Sequence, residues 1–146
     1  MSIDLFVPVV SDNKLHPLFR SVRSWPGYAA ARNVMNEVFG TLVDVDGNFI
    51  EQFQSVAFDA RTWELYLHAY FTLGGFTITD RRDRPDYILH RAGQDFCVEA
   101  VTSNPRDGSL PIDPTDPTRA QALFSDVSGI RDEHIFKLAK ALHSKL

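Results

Sequence analysis

Phe58–Ser103, FDARTWELYLHAYFTLGGFTITDRRDRPDYILHRAGQDFCVEAVTS, is expected to form a helix, a short strand and a tight hairpin. Asp86-Tyr-Ile-Leu-His-Arg91 and Gln94-Asp-Phe-Cys-Val-Glu-Ala-Val101 are the two hairpin strands. The link between them, Ala92-Gly93, has glycine second of two central residues, as a two-residue hairpin turn requires. If Arg91 faces Gln94, the numbers of facing residues sum to 185, and Asp86 lies directly opposite Glu99. Directly opposed side chains share a sheet face with Cβ atoms about 4.5–5.5 Å apart. Two like charges so placed need a bound cation, or a proton on one of them. A slip of one residue would turn every side chain to the other face, so this geometry depends on the register.

Glu64, on the preceding helix, supplies a third acid, with His68 one turn away on the same face. Three carboxylates suit a hard, oxygen-preferring cation such as magnesium or manganese. Pro85-Asp86, twelve intervening residues and Glu99, preceded by a helix-borne Glu64, resemble the PD-(D/E)xK nuclease superfamily. EQFQSVAFDARTWELYL, RPDY and VEAVTSNP together look like a group of bacterial proteins of that type. The resemblance covers the chain from about Gly47 onward. It implies a restriction-endonuclease-like αβββα(β) core: an α/β fold with a small mixed sheet flanked by helices. It implies magnesium- or manganese-dependent cleavage of nucleic acid, DNA above all, with Glu64, Asp86 and Glu99 as metal ligands and catalytic acids. Arg61, Arg82, Arg84 and Gln54 are the candidate substrate-binding residues.

The family lysine should stand two residues after the second acid, where this chain has Val101. Lysines displaced to the following helix are known in the family. Lys137, Lys140 and Lys145 are available, and Lys145 returns to the apolar side of Ile135, Leu138 and Leu142. Lys145 is therefore the expected catalytic lysine, against the plain alternative of a cation at a helix C-terminus. Without a lysine at the site, the domain would be a non-catalytic interaction or nucleic-acid-binding module that retains the nuclease-like fold.

The chain has 146 residues, of which 44% are hydrophobic and 23% charged, so it is globular and long enough for a real core. It is expected to be one domain, with 1–46 as an N-terminal extension carrying one helix and 47–146 as a nuclease-like core shortened at its C-terminus. An uncovered sheet edge would favour a homodimer. No apolar run approaches about 18 residues, so no membrane span is expected. The N-terminal stretch lacks the pattern of a signal peptide, and a single cysteine excludes an internal disulfide; both suit the cytoplasm. A net charge of −4 and pI near 5.7 argue against nonspecific nucleic-acid binding by the whole surface, though not against a local basic patch.

Leu5–Val10 is a candidate edge strand, because Pro8 cannot donate to a ladder. Arg20, Arg23 and Trp25 are either a polyanion contact or a surface arm, the latter favoured. Tyr28–Phe39 is a helix stopped by Gly40, with Ala31, Val34, Met35, Val38 and Phe39 as its apolar stripe. Asp44–Asn48 is a turn whose acids lack the remaining ligands of a calcium loop. Asn48 with Glu51 resembles a capping box. The helix Phe49–Leu73, bent near Phe58-Asp59, is expected to carry Gln54, Arg61, Glu64 and His68 as one polar stripe, and Trp63, Tyr66, Leu67 and Tyr70 toward the sheet. Arg61 either pairs with Glu64 or binds phosphate. Arg81, Arg82 and Arg84 precede Asp86 as a phosphate clamp or a solvated turn. On the hairpin, Ile88 and Cys97 share the face of Asp86 and Glu99; Tyr87, Leu89, Phe96 and Val98 take the other. Cys97 is read as a small core residue. The Pro- and Asp-rich loop 103–118 lies at the exit of the Glu99 strand.

Overall fold

The computed structural model divides at Ala100 into two units, 1–100 and 101–146. It describes residues 3–44, 47–80 and 86–100, all within the first. The expectations placed on Arg81, Arg82, Arg84, Val101, the loop 103–118, the C-terminal helix and its lysines Lys137, Lys140 and Lys145 lie outside the described residues.

Four helices precede a three-stranded sheet: α1 (Pro17–Ser24), α2 (Ala29–Phe39), α3 (Phe49–Gln54), α4 (Phe58–Leu73), then β1 (Thr77–Asp80), β2 (Tyr87–Arg91) and β3 (Gln94–Val98). The described sheet is an antiparallel meander in the order β1-β2-β3, where a mixed sheet was expected. Ala92 and Gly93 both have positive φ, 52° and 76°, the primed turn whose twist suits a two-residue hairpin. This turn sets the register. Arg91 faces Gln94, Leu89 faces Phe96 and Tyr87 faces Val98, as the sequence predicts. On β1 the register shifts between Ile78 and Asp80, and Thr79 Oγ1 donates to the Ile88 carbonyl at 3.0 Å.

Tyr87 and Leu89 are buried with Leu67 and Phe71 of α4, and Phe76, Ile78, Val98 and Ala100 pack around them. Burying each large apolar side chain is worth about 1.5–3 kcal/mol, which docks the hairpin on α4. The opposite strand face, with Cys97 and His90, is exposed. Cys97 is therefore a surface thiol and not the core residue expected, because it alternates away from the helix.

Buried residues from the N-terminal stretch pack with those of the helices that follow. Leu5, Phe6, Leu15, Phe19, Phe39 and Leu42 form one core with Phe49, Phe53, Phe58 and Leu65. Leu5–Val10 is no strand; it is an irregular arm, with Leu5 fully buried. An extra helix, α1, follows it. Pro17 sits in its first turn and His16 Nδ1 accepts from Leu18 N at 3.3 Å, the arrangement that suits a proline-led N-terminus. The His16 ring also stacks on Phe58, 5.4 Å between centroids.

The expected single helix from Phe49 to Leu73 is two. Ser55 breaks it at φ −125°, ψ −116°, with its hydroxyl donating back to the Glu51 carbonyl at 2.6 Å. Such back-bonding competes with helix continuation. Nor does Asn48 cap α3. Asp44 does that work from further back: Oδ1 accepts from Gly47 N and Oδ2 from Phe49 N. The buried side of α4 is Phe58, Leu65, Leu67, His68 and Phe71. Trp63, Tyr66 and Tyr70, expected against the sheet, instead stack on one another at the surface, 37%, 56% and 59% exposed. The helix serves two cores in succession, Phe58 and Leu65 in one and Leu67 and Phe71 in the other, so no single apolar stripe marks its inner side.

Candidate functional site

Asp86 and Glu99 stand at the open end of the β2–β3 ladder. Tyr87 and Val98 are the last facing residues, with Asp86 immediately before Tyr87 and Glu99 immediately after Val98. There the side chain replaces the backbone ladder: Asp86 Oδ2 accepts the Ala100 amide at 2.6 Å. That bond ties the chain leaving β3 to the residue entering β2. A carboxylate offers about four acceptor sites, so Asp86 retains capacity for a cation after taking this amide. Glu99 is exposed and Asp86 half-buried.

Glu64 lies beside this end of the hairpin through its backbone, because Tyr87 Oη donates to the Glu64 carbonyl at 3.3 Å. Its carboxylate has another partner. Arg61 donates to Glu64 Oε2 at 2.6 Å, one helical turn earlier. The same guanidinium donates to Gln52 Oε1 and Asn48 Oδ1 and lies over the Phe49 ring, 5.2 Å from its centroid. Of the two roles open to Arg61, pairing with Glu64 is the one the structure realises. The guanidinium pins the start of α3 to α4, and charge-assisted bonds of this kind are among the stronger polar contacts. Gln52 and Asn48 are the partners that sequence reasoning missed; no local pattern joins them to Arg61.

Gln54 is not available to a substrate. It is fully buried, and its amide is saturated by the N-terminal arm. Nε2 donates to the carbonyls of Leu5 and Val7, and Oε1 accepts from Val9 N, each at 2.8 Å. The expected polar stripe therefore dissolves: the break at Ser55 turns Gln54 to the arm, Arg61 and Glu64 face each other, and His68 is buried against Thr41.

Among the described residues no group of three His, Cys, Asp or Glu side chains is arranged to hold a metal ion. Glu64, Asp86 and Glu99 thus do not form the three-acid cluster expected. Among the described residues no helix is long and apolar enough to cross a membrane. No family model, curated protein or solved structure matches the chain.

Proposed function

We propose that the chain is a divalent-metal-dependent hydrolase of phosphodiester bonds in nucleic acid, acting through Asp86 and Glu99. One observation carries the reading. Asp86 and Glu99 flank Tyr87 and Val98, the last facing pair of the hairpin, and Asp86 accepts the Ala100 amide. Neighbouring carboxylates favour a cation or a proton between them, and hard oxygen donors suit magnesium or manganese. Such an ion supplies Lewis acidity toward a phosphoryl oxygen and a more acidic bound water. Asp86 and Glu99 would hold it; the Ala100 N–H fixes the Asp86 carboxylate so that it need not reorganise on binding. DNA is the expected substrate, from the resemblance of Pro85-Asp86 and Glu99 to the superfamily pattern.

A second reading is a non-catalytic nucleic-acid-binding module of the same ancestry. The commitment of the Glu64 carboxylate to Arg61 favours it, since the third acid of the expected site is engaged elsewhere.

Labelled single- and double-stranded DNA and RNA, incubated with the protein in magnesium, manganese or EDTA, separate the two. Metal-dependent cutting lost in both Asp86→Asn and Glu99→Gln supports the enzyme. Tight binding in calcium without cutting in any metal supports the module. Neither cutting nor binding would sink both. Asp86→Asn keeps an oxygen for the Ala100 amide, so loss of activity there would not be loss of fold.

A further inference from the structure

His68 is the one histidine of the described core whose ring is shut in, 8% exposed on the inner side of α4. Its Nε2 lies 3.1 Å from Thr41 Oγ1, in the turn that follows α2. Thr41 has a single hydroxyl proton, and it donates that proton to the Val38 carbonyl at 2.8 Å. The hydroxyl must therefore accept from the imidazole, and Nε2 carries the ring proton. Nδ1 is then the bare nitrogen. It is buried and has no hydrogen-bond partner.

We propose that His68 is an acid-sensitive latch, in which protonation of the buried Nδ1 releases the Thr41 turn from α4. The neutral ring is satisfied where its proton is, and its unpartnered lone pair is an uncharged acceptor. The protonated ring would carry a charge, and at Nδ1 a second N–H that meets no hydrogen-bond partner, into a buried site, which is unfavourable. The charged groups of the neighbouring elements do not compensate. On the α2 side, Arg32 is turned to the carbonyls of Val22 and Trp25, Glu37 is exposed, and Asp44 caps α3. On α4, Glu64 is paired with Arg61, and Asp59 acts on His16.

The direction of titration agrees. Burial lowers the proton affinity of His68 below the usual 6.5, and a hydrogen bond to the Thr41 backbone offsets only part of that. A histidine depressed in the folded state binds more protons when unfolded, so stability rises with pH. The contribution is complete above pH 6.5 and is lost as pH falls through the lower folded value.

His16 is also lowered by burial, against the attraction of Asp59, so the test must separate the two. Urea unfolding of wild type, His16→Asn and His68→Gln between pH 5 and 8 does so. Glutamine can donate to Thr41 but does not titrate. The unfolding constant of wild type and of His16→Asn should rise as pH falls below 6.5, by at most about tenfold per pH unit for the His68 proton. His68→Gln should lose that part of the slope. In wild type, NMR should show the His68 ring as the Nε2–H tautomer, titrating below pH 6.5. Amide exchange at Thr41 and Leu42, corrected for the chemical rate, should accelerate over the same window. A ring that titrates at or above 6.5, exchange that does not change, or an undiminished slope in His68→Gln overturns the latch. The NMR measurement needs no variant, so the result stands even if His68→Gln fails to fold.

Discussion

Gln54→Leu removes the amide that holds the N-terminal arm while keeping a similar volume. The loss can be worked out bond by bond. The Leu5 carbonyl belongs to a fully buried residue, so the substitution leaves it without a donor. An unsatisfied buried acceptor costs about 1–3 kcal/mol. Val7 and Val9 are 59% and 61% exposed, so water can replace their bonds, and each loss is about 0.5–1 kcal/mol. The total is about 2–5 kcal/mol, a large share of the roughly 5–15 kcal/mol that holds a domain folded. Urea denaturation followed by circular dichroism measures it, and amide exchange gives a local readout, since Val9 N should lose protection. Gln54→Glu sharpens the test. It keeps the acceptor for Val9 N but faces two carbonyls with an ionised carboxylate, so it should be worse than leucine at neutral pH and should recover in mild acid. A change below about 0.5 kcal/mol in Gln54→Leu, with Val9 still protected, would refute the reasoning.

Three further outcomes follow from the same contacts. Ala92→Asn should stabilise the hairpin by about 0.5–1 kcal/mol, because Ala92 holds φ 52° and asparagine tolerates the left-handed region better; thermal unfolding reads it. Phe53→Ala should cost about 3–5 kcal/mol, since Phe53 is fully buried among the rings of Phe6, Phe19, Phe49 and Phe58, and a lower urea midpoint would report the cavity. Arg61→Met should cost about 1–3 kcal/mol by stripping Glu64, Gln52 and Asn48 of a shared donor. It also removes one partner of the Glu64 carboxylate, so a gain in magnesium affinity, measured calorimetrically, would show that the pairing with Arg61 masks a ligand.

The sequence by itself determined the hairpin. Ala92-Gly93 suits a primed two-residue turn, that turn fixes the register, and the register pairs Arg91 with Gln94 and sends Tyr87 and Leu89 to one face. Gly40 and Gly74, at the ends of α2 and α4, were legible for the same reason: the causes lie within a few residues. The use of Gln54 lay outside any such window, for its partners stand 45 to 49 positions away. The inner side of α4 was equally closed to pattern reading, because one helix divides its apolar residues between two cores and leaves a ladder of Trp63, Tyr66 and Tyr70 at the surface. Only the tertiary structure decided which polar groups were buried and with whom. Periodicity reports how a segment alternates, whereas desolvation depends on what the rest of the chain lays against it.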